Sequence, residues 1–258
     1  MRSRSCGFLL IMFSRRQKGK NLRDFDTIIL GAGAAGMMCA AYAGGRTLVI
    51  DHAKAPGEKI RISGGGRCNF TNLHASPGNF ISNNPHFAKS ALSRYTQWDF
   101  IDLVSNYDIP YHEKTLGQLF CDTSAKDIIR MLQAEMSKAG AELWLNTSAS
   151  DIAKTESGFR LTLTREDKVQ SATCKNLVVA CGGKSIPKMG ATGFGYQIAR
   201  QFGLNVTETR AGLVPFTFGE TVMAGLKPLA GVAVEDAVGQ HEALGLAGDF
   251  QLLAQATR

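Results

Sequence analysis

Thr27-Ile28-Ile29-Leu30-Gly31-Ala32-Gly33-Ala34-Ala35-Gly36 is the stretch that decides the fold of this 258-residue chain. Its first four residues form a short apolar run, which is typical of a strand buried on both faces of a parallel sheet. Glycines follow at once in a G-x-G-x-x-G pattern, and the small apolar residues 37–43 predict a helix. A second strand over 46–50 completes a β-α-β unit, the crossover that neighbouring parallel strands require.

The glycine pattern predicts a turn that binds a dinucleotide. Gly31 permits the tight bend, Gly33 lets a diphosphate approach the backbone, and Gly36 lets helix and strand pack closely. The amides of the first helical turn, that of Ala35 among them, then face the phosphates at the positive end of the helix dipole. Asp51 lies 20 positions after Gly31, where an acid bonds a ribose hydroxyl, and it favours FAD or NAD over NADP. Glycine packing without a ligand is the alternative.

The chain contains two further glycine-rich stretches. Residues 63–72 read SGGGRCNFTN and lie within an aperiodic stretch over 52–84, which for its length is either functional or a mistaken assignment. Residues 180–183 read ACGG and end a predicted strand over 169–180. Because open α/β sheets bind ligands at the carboxyl ends of their strands, we expect this second stretch near the cofactor. A simple turn is the alternative.

These three stretches, together with Lys59, resemble the BaiN/RdsA family of NAD(P)/FAD-dependent oxidoreductases. The resemblance runs over about residues 26–235, and the SGGGRCN segment followed by Thr-Asn is its most specific part. It implies an α/β fold: an FAD-binding Rossmann-like domain of the two-dinucleotide-fold type, with the start of an inserted smaller domain near Pro215.

One branch of this family reduces a uridine of ribosomal RNA to dihydrouridine. Residues 83–92, 96–104 and 112–121 are similar to that branch. The resemblance therefore favours a uridine of 23S ribosomal RNA as the substrate. The body of the chain is electrostatically neutral and lends this substrate no independent support.

The resemblance also implies where the cofactor lies. FAD is expected with its diphosphate at residues 31–36, its ribose on Asp51 and its flavin near residues 64–69, and NAD(P)H is the expected electron donor. The residues expected to contact the cofactor are Gly31, Gly33, Ala35, Gly36, Asp51, Lys59, Gly64, Gly65, Gly66, Arg67, Asn69, Ala180, Gly182 and Gly183.

Arg67 and Cys68 are the candidate catalytic residues. The three glycines before them allow backbone amides to face a ring or phosphate with no Cβ in the way. Arg67 would neutralise the diphosphate or the reduced flavin, and Cys68 would donate a proton to a substrate carbon. The alternative for Cys68 is a small buried packing residue, which is what free cysteines usually are. Lys59 is expected at a phosphate or the flavin edge, with a solvated lysine as the alternative.

The remaining pattern predicts the other elements of the domain. Helices are predicted over 84–95, 96–107, 124–140 and 192–202, and strands over 142–146, 159–164, 169–180 and 213–218. The consecutive strands predict an antiparallel meander. Because residues 177–180 are apolar without a break, the last strand of the meander is expected to return to the central sheet.

Composition narrows the possible partners. The net charge of +7 lies entirely in residues 1–23, which hold seven Lys and Arg and no acid, whereas the remainder has 22 of each sign. We therefore predict a disordered basic leader over 1–25, with a polyanion-binding arm as the alternative.

Six cysteines without a C-x-x-C pair predict neither a disulfide framework nor a metal site, and a reducing cytoplasm is expected. No apolar run approaches the roughly 18 residues of a membrane span.

The predicted domains are an FAD-binding domain over 26–214 and an incomplete inserted domain with a divergent tail over 215–258. The family's later segment, which resembles G-E-x-x-D followed by G-G-Y-N, is absent here, so we expect a truncated gene product. Two alternatives to the ribosomal RNA enzyme stay open. One is a flavin oxidase or reductase of a small metabolite, and the other is a nucleotide-binding remnant without catalysis.

Overall fold

A computed structural model describes residues 23–211 and 219–229 of the chain. The chain separates into two compact units, the first ending at Glu208 and the second starting at Thr209. The predicted leader up to residue 22, the predicted strand over 213–218, the predicted domain boundary at 214 and the tail from 230 onward lie outside the described residues.

Six strands form the main sheet of the first unit. Counted along the chain, they are β1 (Arg23–Leu30), β2 (Thr47–Ile50), β6 (Glu142–Trp144), β7 (Thr147–Thr155), β8 (Gly158–Arg165) and β9 (Lys168–Val179). Their spatial order is β6-β2-β1-β9-β8-β7. The first four of these in space are parallel, and β8 and β7 join antiparallel. The predicted α/β Rossmann-like class with an antiparallel meander is confirmed, as is the return of β9 to the centre beside β1.

The described part of the first unit also contains the helices α1 (Ala34–Ala43), α2 (Glu58–Ile62), α3 (Lys89–Arg94), α4 (Gln97–Asn106), α5 (Ala125–Lys138) and α6 (Phe194–Gln201). All of these except α3 contribute buried residues to the two cores that pack against the sheet. Ile29 packs in one core with α1 and α5, and its neighbour Ile28 packs in a second core with the meander and α6. Since adjacent β1 residues face opposite cores, the strand needs the continuous apolar run that the sequence shows.

None of the helices within 23–211 and 219–229 combines the length and the apolar character needed to cross a bilayer. The described part of the second unit consists of helix α7 (Glu220–Leu226) and a 3-10 turn over Lys227–Leu229.

The domain begins before the predicted boundary at Asp26. Strand β1 starts at Arg23, and Phe25 is buried with its ring centroid 6.2 Å from that of Trp144 in an edge-to-face contact. The guanidinium of Arg46 lies 4.6 Å from the centroid of the Phe25 ring. Residues 23–25 thus belong to the sheet, because Phe25 closes the end of the second core, and not to the predicted leader.

Two predicted elements differ from the structure. The predicted strand over 142–146 ends at Trp144, and a separate strand, β7, follows it, although the sequence predicted no strand there. Its register shifts between Ser150 and Ala153, so the apolar alternation that marks a strand is broken. The helix predicted from residue 84 begins only at Lys89, because the Asn84 side chain accepts from the amide of His86 at 3.1 Å and closes a turn instead.

A second, three-stranded sheet was not predicted at all. It is built from β3 (Asn69–Asn72), β4 (Tyr111–Glu113) and β5 (Gln118–Cys121), in the antiparallel order β3-β5-β4. Phe70 packs edge-to-face on Tyr111, with 5.5 Å between ring centroids. Because β3 begins directly after the glycine loop over 63–68, this sheet anchors that loop.

A capping box starts α4, the helix that the sequence predicts from residue 96. The Thr96 hydroxyl accepts from the amide of Asp99 at 3.3 Å, and the amide of Thr96 donates to the Asp99 carboxylate at 2.7 Å. The hydrogen bonds from the Thr96 side chain and amide lower the pKa of Asp99. A lowered pKa stabilises the fold above the unfolded-state pKa, and this contribution is lost as pH falls through the folded-state pKa.

Replacing Thr96 by alanine is expected to lower the free energy of unfolding by about 1 kcal/mol at neutral pH. The pKa of Asp99 should rise toward its ordinary value, so the difference between variant and parent should shrink in acid. Urea denaturation at several pH values measures both effects. Ser137→Ala, on an exposed position of α5, is the control, and a Thr96→Ala protein as stable as the parent at neutral pH would contradict the prediction.

Candidate nucleotide-binding site

The turn between β1 and α1 is tightly packed on its inner side. Gly31 has φ +111°, and a Cβ there would lie 2.5 Å from the carbonyl oxygen of Ala180. A Cβ on Gly36 would lie 1.8 Å from the carbonyl oxygen of Gly31. Both positions therefore need glycine, one for its backbone conformation and the other for the close approach of α1 to the turn.

The outer side of the same turn is open. Gly33 begins α1 with φ −83°, and nothing lies within 4 Å of the position a Cβ would take. No side chain caps the helix, no acid lies in its first turn, and Ala34 and Ala35 are exposed. The first amides of α1 thus face open space with no intrahelical partner, and this arrangement suits an anion such as a diphosphate.

Asp51 lies at the end of β2 beside this turn. One carboxylate oxygen accepts from the amide of Ala32 at 2.7 Å, and the other accepts from the amide of Ala53 at 2.9 Å. The carboxylate therefore braces the turn, a role that the sequence did not predict. Nδ1 of His52 lies 3.4 Å from the oxygen that accepts from Ala53, whereas the oxygen that accepts from Ala32 retains a further lone pair. A bond to a ribose hydroxyl is compatible with these contacts and stays a prediction.

A cavity of about 550 Å³ opens beside Asp51, within the size range of small-molecule sites. It lies at the carboxyl ends of β1 and β2. Its walls come from five separate parts of the first unit: Leu30, Gly31, Ile50, Asp51, His52, Thr147, Ser148, Ala149, Cys181, Gly190, Thr192, Phe194 and Gln197.

The sequence did not predict most of the residues that line this cavity. Residues 147–149 begin β7, separated by two residues from the end of β6, so the rule that ligands sit at the carboxyl ends of strands, applied to β6, would have pointed to them. Phe194 and Gln197 lie on α6, which was predicted as a helix but assigned no role. No local pattern distinguishes these residues from others on the same elements.

The glycine loop over 63–68 presents an open backbone surface. Gly64, Gly65 and Gly66 have φ values of 56°, 65° and 88°, a run of left-handed conformations that favours glycine. A Cβ on Gly64 would lie 2.6 Å from the Phe120 ring, whereas nothing lies within 4 Å of the Cβ position of Gly65. The loop is thus anchored on one side by β5 and open on the other.

The two candidate catalytic residues lie in different surroundings. Arg67 is exposed, and its guanidinium has no hydrogen bond or ion pair to any described residue. Cys68 is 5% exposed and belongs to the first core. Burial raises the pKa of the Cys68 thiol, so it stays protonated at neutral pH. Its burial favours the packing alternative over a proton donor that reaches a substrate.

Backbone contacts and Lys59 bring the three glycine-rich stretches together. The Lys59 ammonium donates to the carbonyl of Gly183 at 3.1 Å and to the hydroxyl of Ser185 at 3.0 Å. The Lys59 ammonium is thus bound to protein atoms rather than simply solvated, and its contact with a phosphate or the flavin stays a prediction. The amide of Gly57 donates to the carbonyl of Ala32, and that of Ala180 to the carbonyl of Leu30, both at 2.8 Å.

The predicted site residues over 31–36, Asp51, Lys59 and 180–183 therefore meet at the carboxyl ends of β1, β2 and β9. The predicted residues over 64–69 follow α2, whose Lys59 makes the contact to Gly183, and are held by the small sheet. A G-x-G-x-x-G turn at the head of a β-α-β unit, with open helix amides and a neighbouring cavity, defines a Rossmann-type nucleotide-binding domain. The chain belongs to the HI0933-like protein Rossmann domain family, which its residues 25–234 match.

Three curated proteins are similar to this chain. The chain is 55% identical over 220 residues to the ribosomal RNA dihydrouridine synthase of Escherichia coli K12, covering 84% of this chain and 54% of the relative. It is 51% identical over 199 residues to the enzyme of that name from Haemophilus influenzae, covering 76% and 50%. It is 23% identical over 192 residues to the 3-dehydro-bile acid delta(4,6)-reductase of Clostridium scindens, covering 72% and 46%. The chain spans about half the length of the curated relatives it matches.

Proposed function

We propose that this chain is the cofactor-binding part of an FAD-dependent oxidoreductase. The observation that carries the proposal is the open outer side of the β1–α1 turn. Gly33 leaves room for a diphosphate, the first amides of α1 face that room, and the cavity beside Asp51 is large enough for an adenosine. The residues present therefore fit the diphosphate and adenosine of a dinucleotide.

The flavin is proposed to lie against the glycine loop over 64–69. Two features support this placement. Gly65 leaves its amide surface open, and Arg67 carries a guanidinium with no partner among the described residues. Arg67 would balance the negative charge of a diphosphate or a reduced flavin. Lys59 holds residues 183 and 185 beside α2 and so orients the third glycine-rich stretch toward the same place.

Bound FAD would supply the redox chemistry, the transfer of a hydride from NAD(P)H to an electron-poor C=C or C=O bond. The chain would bind and orient the reactants. The α1 amides would hold the diphosphate, Asp51 would brace the turn, and the core around Cys68 would hold the glycine loop rigid.

The favoured substrate is a uridine of 23S ribosomal RNA, because two relatives at 55% and 51% identity carry the name ribosomal RNA dihydrouridine synthase. The alternative is a small metabolite, as in the bile acid reductase, which is 23% identical. A nucleotide-binding chain without catalysis is the third candidate.

Competition binding tests the cofactor. FAD added to the purified chain should bind with quenching of flavin fluorescence, and ADP should compete because it fills the cavity and the amide site. FMN lacks the adenosine and should not displace FAD. Displacement by FMN and not by ADP would contradict the placement of the dinucleotide.

Turnover tests the substrate. Oxidation of NADH and of NADPH is followed in the presence of FAD with either a uridine-containing 23S RNA fragment or an α,β-unsaturated ketone as the acceptor. Dihydrouridine in the digested RNA supports the favoured substrate, and reduction of the ketone alone supports the small-metabolite enzyme. FAD binding without oxidation of NAD(P)H by either acceptor would leave the non-catalytic candidate.

A further inference from the structure

Large apolar side chains are exposed on the segments that flank β3 and β5. Ile81 is 98% exposed, Phe87 81%, Leu116 68%, Trp98 55% and Phe80 53%. Exposed single apolar residues are ordinary, but several aromatic rings on one segment mark an interaction surface.

The charge between Glu58 and Asp99, the acids that flank this stretch, is of one sign. Residues 59–98 contain five Lys and Arg and no Asp or Glu: Lys59, Arg61, Arg67, Lys89 and Arg94. Lys89 and Arg94, which lie between Phe87 and Trp98, form no ion pair with any described residue. His74 and His86 on the same segment are also exposed. The formally neutral body of the chain thus has a local excess of positive charge that overall composition conceals.

Hydrogen bonds join this segment to the glycine loop through β3. The side-chain amide of Asn72 donates to the carbonyl of Leu116 at 2.8 Å, and the side-chain amide of Gln97 donates to the carbonyl of Leu73 at 3.0 Å. Strand β3 begins at Asn69, the last residue of the proposed flavin site. Residue 74 follows Asn69 by five positions, so at about 3.3 Å per residue the exposed segment starts within ~17 Å of the glycine loop.

We propose that residues 74–98 together with Leu116 form an RNA-binding surface, here called the aromatic platform. Bases of a single-stranded RNA would stack on Phe80, Phe87 and Trp98, while Lys89 and Arg94 contact the phosphates. The inference rests on the proposed function, because it supplies the substrate-holding surface for a uridine in RNA. Exposed aromatic rings on a segment that carries Lys89 and Arg94, with its first acid at Asp99 beyond Trp98, match the two needs of single-strand binding, a π-face for each base and a cation for its phosphate.

Two pairs of substitutions in the full chain separate stacking from charge. The probe is a fluorescently labelled, uridine-rich single-stranded RNA, and binding is measured by anisotropy over a range of salt concentrations. Phe87→Ala with Trp98→Ala should weaken binding at least about fivefold per ring. Lys89→Gln with Arg94→Gln should reduce the slope of log K against log salt by about 1.4, the expectation for two phosphate contacts on a single strand.

Lys168→Gln with Val169→Ala is the matched control, because it removes one exposed cation and one exposed apolar side chain at the start of β9. Inorganic polyphosphate is the second probe. It has charge but no bases, so the aromatic pair should leave its binding unchanged. The basic leader contributes equally to all variants.

The proposal is refuted if the Phe87→Ala, Trp98→Ala variant binds RNA as tightly as the parent chain. It is also refuted if this variant loses affinity for polyphosphate by the same factor as it loses affinity for RNA. A third refuting result is a parent chain that is a dimer by light scattering, with an aromatic variant that is a monomer and binds RNA as the parent does. FAD binding is measured on every variant. Absence of FAD binding throughout, with RNA binding that responds as expected, would refute the proposed cofactor and support the platform.

Discussion

Replacing Gly33 by valine is expected to weaken FAD binding at least about 100-fold, or about 2.8 kcal/mol, while the chain stays folded. FAD binding should weaken without loss of the fold because no protein atom lies within 4 Å of the Cβ position of Gly33 and its φ of −83° suits any residue. The new side chain would occupy the space in front of the first α1 amides. A diphosphate would then lose its hydrogen bonds to those amides.

Gly219→Val is the matched control for this experiment. Gly219 also begins a helix, α7, with an ordinary φ of −64°, and nothing lies within 4 Å of its Cβ position. Both variants should show the circular dichroism and unfolding transition of the parent, and Gly219→Val alone should bind FAD normally. If Gly33→Val binds FAD as tightly as the parent, the dinucleotide does not use this turn.

Replacing Gly36 by alanine is expected to destabilise the first unit by at least about 3 kcal/mol. The added Cβ would lie 1.8 Å from the carbonyl oxygen of Gly31, and the atom it meets is backbone, which no side-chain rotation can move. Helix α1 would have to shift away from β1 and disturb the core that contains Ile29 and Met37. A loss of this size corresponds to a fall in Tm of about 6–12 °C for a domain of this length.

Gly33→Ala, three residues earlier in the same turn, is the control for the Gly36 variant. It adds the same methyl group into open space and should change the unfolding free energy by less than about 0.5 kcal/mol. Urea denaturation followed by circular dichroism measures both variants. Equal stability of the two alanine variants would show that the close approach of α1 to the turn is not required for folding.

The local signals in the sequence predicted the elements that local interactions build. The apolar run over 27–30 and the glycines after it predicted the first β-α-β unit, and Thr96 and Ser124 predicted the helix starts that the structure confirms. The small sheet of β3, β4 and β5 escaped prediction because its strands are only three or four residues long. Such short strands gain their order from packing, here of Phe70 on Tyr111, which no window of sequence reveals.

The candidate site shows the same difference between what local sequence predicts and what packing decides. The sequence alone determined the glycine turn between β1 and α1, since glycines at 31, 33 and 36 act on their own backbone and on the helix that follows. Only the tertiary structure decided what surrounds that turn: the walls at 147–149 and 194–197, the bracing role of Asp51, the burial of Cys68 and the exposure of the aromatic platform. The reason is physical, because these residues meet across long stretches of chain, and burial depends on which segments the completed sheet brings together.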